Sequence, residues 1–495
     1  MKIKERYYLF LLMIALPIRG IAQETLALSL NQAIHLAQKF SPEAQAARHT
    51  YLAAYWNYRS FRANYLPIVS LSSTPSLNRQ INRITQSDGT VLFLRQNQLN
   101  TDVNLSVSQN IWFTGGNLFV QTSTQRMDEL ENKVTSYNTL PVSIGYQQTL
   151  FGYNSLKWDR RIEPVRFREA KKTYAETLEL IASKTCELFF SLATAQTNLE
   201  ISKANYASAD TLYRYAKGRY GIGNITENEM LQLEINKLNE ETNMMKANIE
   251  VEEAMLTFRS FLGIRENKSI TVLLNDSIFS FEVPLDIALK QAYTHSPDIE
   301  MYQRLKLESH SQLASARANR GLKADLYLQF GLSQTANRLK DSYHNPLDQQ
   351  YVSLSIVLPL LDWGRGKGKV RVAKSNVELV KTQVNQGVND FELNLRKMVR
   401  QFNLQASQVK VALKTDETAH RRYNVARKLY LMGESDILDL NAATNEKDVA
   451  KRNHIEALKA YWTLYFGLRS ITQYDFQTHC PLTENLPDID HLLNN

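Results

Sequence analysis

The chain has 495 residues, 43% of them hydrophobic and 22% charged, with a formal charge of +8. So much apolar material excludes a disordered chain, and a modest charge with basic and acidic residues interleaved excludes a nucleic-acid binder. Two cysteines, Cys186 and Cys480, do not make a disulfide framework, and nine scattered histidines show no metal-ligand spacing.

The first residues read as a secretory signal peptide over 1–22. Lys2, Lys4 and Arg6 form the basic start, Tyr7 to Ile18 the apolar stretch, and Gly20-Ile21-Ala22 the small-residue cleavage site before Gln23. No cysteine follows that site, so no lipid anchor is expected. No later run of about 18 apolar residues occurs, so no transmembrane helix is expected. That leaves a periplasmic protein, a released one, or a membrane β-barrel.

Beyond the signal the chain is written twice, 255 positions apart. Leu30-Asn31-Gln32-Ala33-Ile34 recurs as Leu285-Asp286-Ile287-Ala288-Leu289, Ser41-Pro42-Glu43 as Ser296-Pro297-Asp298, and Arg62-Ala63-Asn64 as Arg317-Ala318-Asn319. A repeat unit seldom closes its own core. The reading is a first structural repeat over 23–283, a second over 284–476, and a tail over 477–495.

After Tyr65-Leu66-Pro67 the period switches to two. Val103 to Ser108 and Val352 to Ile356 alternate apolar and polar residues, the pattern a lipid-facing barrel strand requires and a soluble sandwich edge shares. In the first half an extra alternating run, Leu118 to Thr124, leads to Val142 to Tyr146, which predicts an inserted strand pair. The polar stretches Gln86 to Asn100 and Gln334 to Gln350 are expected to be external loops. Trp112, Phe113, Phe151, Tyr153, Trp158 and Trp363 gather where strands end. That placement suits a membrane-interface girdle and equally a packed strand–helix corner.

Proline is absent between Pro164 and Pro284 and between Pro359 and Pro481, so long helices can run there. Alternate steps of four and three from Phe167 to Tyr220 land on one charged residue only, Lys171, which is a coiled-coil seam. Each long helix meets a turn and returns. The first tip runs Tyr220-Gly221-Ile222-Gly223-Asn224-Ile225-Thr226, then Glu229; the second runs Tyr430-Leu431-Met432-Gly433-Glu434-Ser435-Asp436, then Asp439. Glycine supplies the positive φ of a helix end, and Thr226 or Ser435 is placed to cap the returning helix. The returning helices are expected to end near Gly263 and Gly467.

The duplicated Ser-Pro helix with Arg-Ala-Asn, Tyr65-Leu66-Pro67, the run Pro359-Leu360-Leu361-Asp362-Trp363-Gly364-Arg365 and the two tips together resemble the TolC-like outer membrane efflux protein family. The run Phe151 to Trp158 looks like a branch of it found in Bacteroidetes-type bacteria. The resemblance implies an α+β fold: an internally duplicated protomer, three of which form a transmembrane β-barrel continued by a long α-helical coiled-coil periplasmic barrel. It implies an outer-membrane exit duct of a tripartite efflux pump or type I secretion system. The implied partners are two further copies of the chain, a periplasmic adaptor docked on the tips, an inner-membrane pump of RND or ABC type, and outer membrane lipid. No cofactor or metal is implied. The family's acidic pore constriction corresponds here to Glu229 and Asp439; the second acidic position is Ala442, and Asp436, one turn before Asp439, is the residue placed to supply that ring from the other side. The competing reading of these acids is a set of helix-start residues favoured by the macrodipole. The implied docking residues are Tyr220, Gly223, Thr226, Tyr430, Gly433 and Ser435.

Other classes fit less well. Gly364 to Val370 superficially suggests a phosphate loop, but the glycine spacing is wrong and Val370 replaces the required hydroxyl, so no enzyme is expected. A soluble periplasmic coiled-coil adaptor or scaffold would carry one hairpin, and a passive porin would not need helices of this length.

Overall fold

The structure is a computed structural model that describes residues 25–482 apart from Asn267, Asp276, Ser280 and Gly433. The expected signal peptide, Gly433 of the second tip and the end of the tail lie outside the described residues. Two compact units are present: one is drawn from Tyr51–Lys171 and Pro297–Asp390, the other from the remainder. Each unit therefore takes pieces of both halves of the sequence.

The first unit is built on one six-stranded antiparallel sheet. Its strands are β2 (Ile68–Thr85), β3 (Val91–Ile111), β4 (Gly116–Glu129), β5 (Val134–Leu150), β7 (Lys323–Ala336) and β8 (Leu347–Val357), hydrogen-bonded in that order. Because side chains alternate along each strand, register decides what each face presents. One rung reads Val69–Val107–Val120–Ile144–Phe330–Gln350, apolar up to its β8 member, and the next step along the strands reads Ser70–Ser106–Gln121–Ser143–Gly331–Gln349. The sheet is thus apolar on one face and polar on the other. The apolar face is uncovered: exposure along the apolar part of that rung runs from 39% at Val107 to 67% at Val69. On the polar face hydroxyls and amides satisfy one another, as in Ser70 Oγ to Ser106 Oγ at 2.8 Å.

The inserted strand pair is present as β4 and β5. The expected loops are shorter than their polarity suggested. The β2–β3 connection spans only Gln86 to Thr90, turning at Asp88-Gly89 with Gly89 at φ 82°. Gln96 and its neighbours belong to the strand, where Gln96 donates to Gln98 Oε1 and accepts from Asn82, both at 2.7 Å. A polar side chain on the polar face needs no loop once the backbone ladder is intact. Likewise Gln334 to Ala336 end β7 and Leu347 to Gln350 open β8.

The second unit holds most of the two hairpins, whose long first helices begin in the sheet unit. Helix α3 (Ser155–Gly221) returns as α4 (Glu227–Phe261), and α7 (Arg365–Met432) returns as α8 (Ile437–Thr472). At 67 residues α3 is about 100 Å long. Its seam residues Tyr174, Ile181, Thr185, Leu192, Ala195, Ala209 and Ala216 are buried, whereas Lys171 and Tyr220 are not. The helix starts before Pro164 and carries that proline inside its third turn. Helix α4 stops at Gly263, at φ 74°. Helix α8 does not stop at Gly467. It runs to Thr472 and is closed by Gln473 at φ 51°. A Cβ at Gly467 would lie 2.9 Å from Met398 Cε, so this glycine serves close helix packing rather than termination.

The short helices match in length and spacing. Helices α1 (Leu30–Phe40) and α5 (Leu285–His295) have 11 residues each, α2 (Pro42–Ala63) and α6 (Pro297–Ala318) have 22 each, and both pairs start 255 positions apart. Ahead of α1, strand β1 (Thr25–Ser29) pairs in parallel with β6 (Ser269–Leu273). Gln196 on α3 holds β6 from its other side, donating to Ile270 O at 2.7 Å and accepting from Val272 N at 3.2 Å. Asn403 on α7 grips Val283 in the same two-handed way, at 2.9 and 3.1 Å. After α8 the chain closes with a two-residue pairing of β9 (Tyr474–Asp475) and β10 (Cys480–Pro481). There a buried network forms: Arg469 Nη2 donates to Glu179 Oε1 at 3.0 Å and Nη1 to Asp475 Oδ2 at 3.3 Å, and Tyr465 OH donates to Asp475 Oδ1 at 2.9 Å.

Candidate functional site

The hairpin tips are built by helix-end chemistry. In the first, Gly223 at φ 77° turns the chain, with its N–H on Tyr220 O and the Asn224 N–H on Arg219 O, both at 2.9 Å. Thr226 then starts α4 through a capping box. Its hydroxyl accepts from Glu229 N at 3.2 Å and the Glu229 carboxylate accepts from Thr226 N at 3.0 Å.

The second tip differs from expectation. Asp436, not Ser435, caps α8, accepting from Asp439 N at 2.9 Å. A charged carboxylate satisfies the orphan N–H and also meets the positive end of the helix dipole, which a hydroxyl does not. Ser435 instead donates to Asp439 Oδ2 at 3.2 Å. Arg422 on α7 approaches Asp439 Oδ1 at 3.5 Å and pairs with Glu446 as well.

The two tips share a cleft of about 500 Å³ whose walls include Glu229, Tyr430, Ser435 and Asp436, together with Arg219 and Gln232. Burial pushes the Tyr430 hydroxyl above its ordinary pKa, the Arg219 charge opposes this, and the Glu229 charge adds to it. Tyr220, Thr226 and Asp439 are not among the cleft walls. Beneath it a small core of Ala426, Leu440 and Ala443 packs with Leu212, Tyr423 and Ile437, so the hairpins hold each other. Two arginines escaped the sequence reading. Arg219 immediately precedes the first tip, and Arg422 meets its acids only through inter-helix register, which no local pattern reveals.

The strand-end aromatics lie at the end of the sheet where β3, β5 and β8 finish. Phe113, Phe151 and Trp363 are largely exposed, Trp363 at 90%. Trp112 stacks under the Arg160 guanidinium at 3.9 Å, and Arg161 stands 5.6 Å from the Trp158 ring. Tyr153 is tied inward by a 2.6 Å hydrogen bond to Ser311 on α6. Beside Trp363, Asp362 accepts from Gly366 N at 2.8 Å and Gly364 N at 2.9 Å, which holds its carboxyl below the usual range and starts α7. Among the described residues, no helix is long and apolar enough to cross a membrane, and no His, Cys, Asp and Glu cluster is arranged to hold a metal ion.

A sheet with one uncovered apolar face and one polar face, carried with long helical hairpins, defines a channel-forming protein of the outer membrane. The outer membrane efflux protein family matches residues 33–264 and 288–472, and the chain belongs to that family. It is 22% identical over 352 residues to the alkaline protease secretion protein AprF of Pseudomonas aeruginosa, covering 68% of this chain and 71% of that one. Its fold is similar to the CmeC outer membrane channel of Campylobacter jejuni, with a TM-score of 0.67 at 17% identity, over 94% of this chain and 89% of that one. The outer membrane protein VceC of Vibrio cholerae gives a TM-score of 0.62 at 14% identity, over 90% and 95% of the two chains. The protein is an outer-membrane efflux or secretion channel.

Proposed function

We propose that three copies of this internally duplicated chain close one barrel in the outer membrane and continue it as a helical tunnel in the periplasm. The assembly serves as the exit duct of a tripartite efflux pump or a type I secretion system and conducts its cargo passively. A periplasmic adaptor docks on the tips at Tyr220, Gly223, Thr226, Tyr430, Gly433 and Ser435, and an inner-membrane pump of RND or ABC type delivers the cargo. The observation that carries this reading is the uncovered apolar face of a sheet whose edge strands, β2 and β8, have no further strand partner among the described residues. An open edge in hydrocarbon leaves backbone groups unsatisfied at several kcal/mol each, so lipid demands closure by further copies.

Glu229, Asp436 and Asp439 form acidic rings at the tunnel constriction, favouring cations. Trp112, Phe113, Phe151, Tyr153, Trp158 and Trp363 form the periplasmic-side aromatic girdle, where arginine-stacked rings suit a headgroup layer. The membrane fraction should yield a detergent-dependent species near three times the chain mass that collapses on boiling. A soluble monomer would overturn the duct and favour a periplasmic scaffold. In planar bilayers Asp439→Ala and Glu229→Gln should each weaken cation selectivity; unchanged selectivity in both removes the acidic rings from the proposal.

A further inference from the structure

Strands β2 and β3 of the first half answer β7 and β8 of the second, whereas β4 and β5 have no counterpart. They are not appended at an edge. β4 pairs with β3 along Gln98–Ile111, and β5 pairs with β7 from Ser143 to Leu150, so β3 and β7 have the inserted pair between them. The two-faced pattern continues through Asn117–Gln121 of β4 and Ser143–Gln147 of β5, beyond which bulges shift the register between Gln121 and Ser123 and between Thr139 and Ser143. Leu118, Val120 and Ile144 extend the uncovered apolar face, and Gln121, Ser143 and Gln147 extend the polar one.

The polar face also anchors the insertion sideways. A Cβ at Gly145 would collide with the Phe119 ring, so this glycine lets Phe119 lie across β5. Phe119 then reaches Tyr327 at 5.8 Å between ring centroids, and Tyr327 reaches Tyr351 at 5.8 Å. One aromatic row thus ties β4 to β7 and β8. On the other side, Tyr343 from the β7–β8 loop hydrogen-bonds Thr124 of β4 at 2.8 Å.

We infer that the β4–β5 pair is an integral part of the barrel wall, so that the assembled barrel closes with eighteen strands around a lumen wide enough for a structured polypeptide. This rests on the trimeric reading above: six strands from each of three copies. With strands about 4.8 Å apart and tilted about 40°, eighteen of them close at a backbone diameter of roughly 36 Å, against roughly 24 Å for twelve. A side-chain layer of about 5 Å on each wall leaves a lumen of roughly 25 Å. Two helices side by side, each about 10–12 Å across, fit through it. Barrels of this strand number hold an aqueous channel rather than a side-chain core.

The test uses the full-length protein in lipid nanodiscs, with native mass and electron-microscopic strand count read on one sample. In a Cys480→Ser background, where the remaining Cys186 is buried, Gln121→Cys on the polar face and Val120→Cys on the apolar face are challenged from outside with maleimide polymers of graded size. The expected result is a trimer with eighteen strands. Position 121 is then labelled by polymers of about 20 Å diameter, and position 120 only by a lipid-soluble reagent. A trimer with twelve strands, or one in which position 121 takes only small maleimides, overturns the eighteen-strand wall and leaves the trimer standing. A particle of another mass overturns both.

Discussion

Gln196 and Asn403 each do with one amide what a neighbouring strand does with its backbone. Each offers a donor and an acceptor to a segment that would otherwise be half unpaired. Replacing Gln196 by Leu leaves Val272 N and Ile270 O without that partner, and we expect a loss of about 1–3 kcal/mol in urea unfolding. Arg469 has more at stake, because it faces two buried carboxylates. Arg469→Leu should cost about 3–5 kcal/mol, since it strands Glu179 and Asp475 in a dry site. Burial alone would raise the Asp475 carboxyl, but Arg469 and the hydrogen bonds outweigh it and hold it below the usual range. Its contribution is therefore complete above the ordinary carboxylate pKa of about 4, and is lost as pH falls through the lowered folded value. Asp475→Asn should accordingly lose less stability than the parent between about pH 6 and 3, measured by urea midpoints. The Thr226 cap was legible because a hydroxyl followed three residues later by a glutamate is a local signature. The Arg469 network was not, because Glu179 lies 290 residues away.

At the scale of elements, periodicity carried most of the reading. The seam from Phe167 to Tyr220, the two tips and the inserted strands all follow from spacing that each element sets by itself. The differences between expectation and structure share one cause: composition alone does not set conformation. Gln86 to Asn100 looked like a loop because it is polar, yet most of it is strand whose amides face one another. Gly467 looked like a stop because it is glycine, yet it makes room for Met398, whereas Gly263 is a stop because its φ is 74°. Gly145 allows the same distinction to be tested. Gly145→Ala should cost about 1–3 kcal/mol by overpacking Phe119, seen as a lower temperature for collapse of the oligomer on a gel. Phe119→Ala in the same chain should recover most of that loss. Failure to recover would mean that the backbone at 145, not the ring, sets the requirement.

For the molecule as a whole, the long helices and the alternating strand segments were legible in the sequence, and the division into two compact units was not. Both units draw on both halves, and three of the four boundaries fall inside helices, where no composition shift marks them; the fourth falls at the Ser296–Pro297 junction of α5 and α6. The two-faced sheet was foreseen only as short alternating runs, because neither strand order nor register is written in a single strand. The face assignment makes a sharp prediction. Val352→Arg places a charge on the apolar face and should cost about 2–4 kcal/mol of folding free energy in lipid vesicles, while Ser353→Arg, one residue on, should be nearly neutral. Equal costs at the two positions would mean that lipid does not meet that face.

The parallel pairing of β1 with β6 bears on the timing of biogenesis. Residues 25–29 leave the ribosome early, and their partner at 269–273 follows 244 residues later. At about 5–20 residues per second, that is a wait of roughly 12 to 50 seconds. For that interval Leu28, buried in the finished protein, must stay uncommitted. The β1–β6 pairing therefore cannot form until nearly all of the first half has been made, and the helical unit it belongs to also waits for the segment from Phe391 onward. A holdase that covers the N-terminal segment would act at this step, before any strand reaches the membrane.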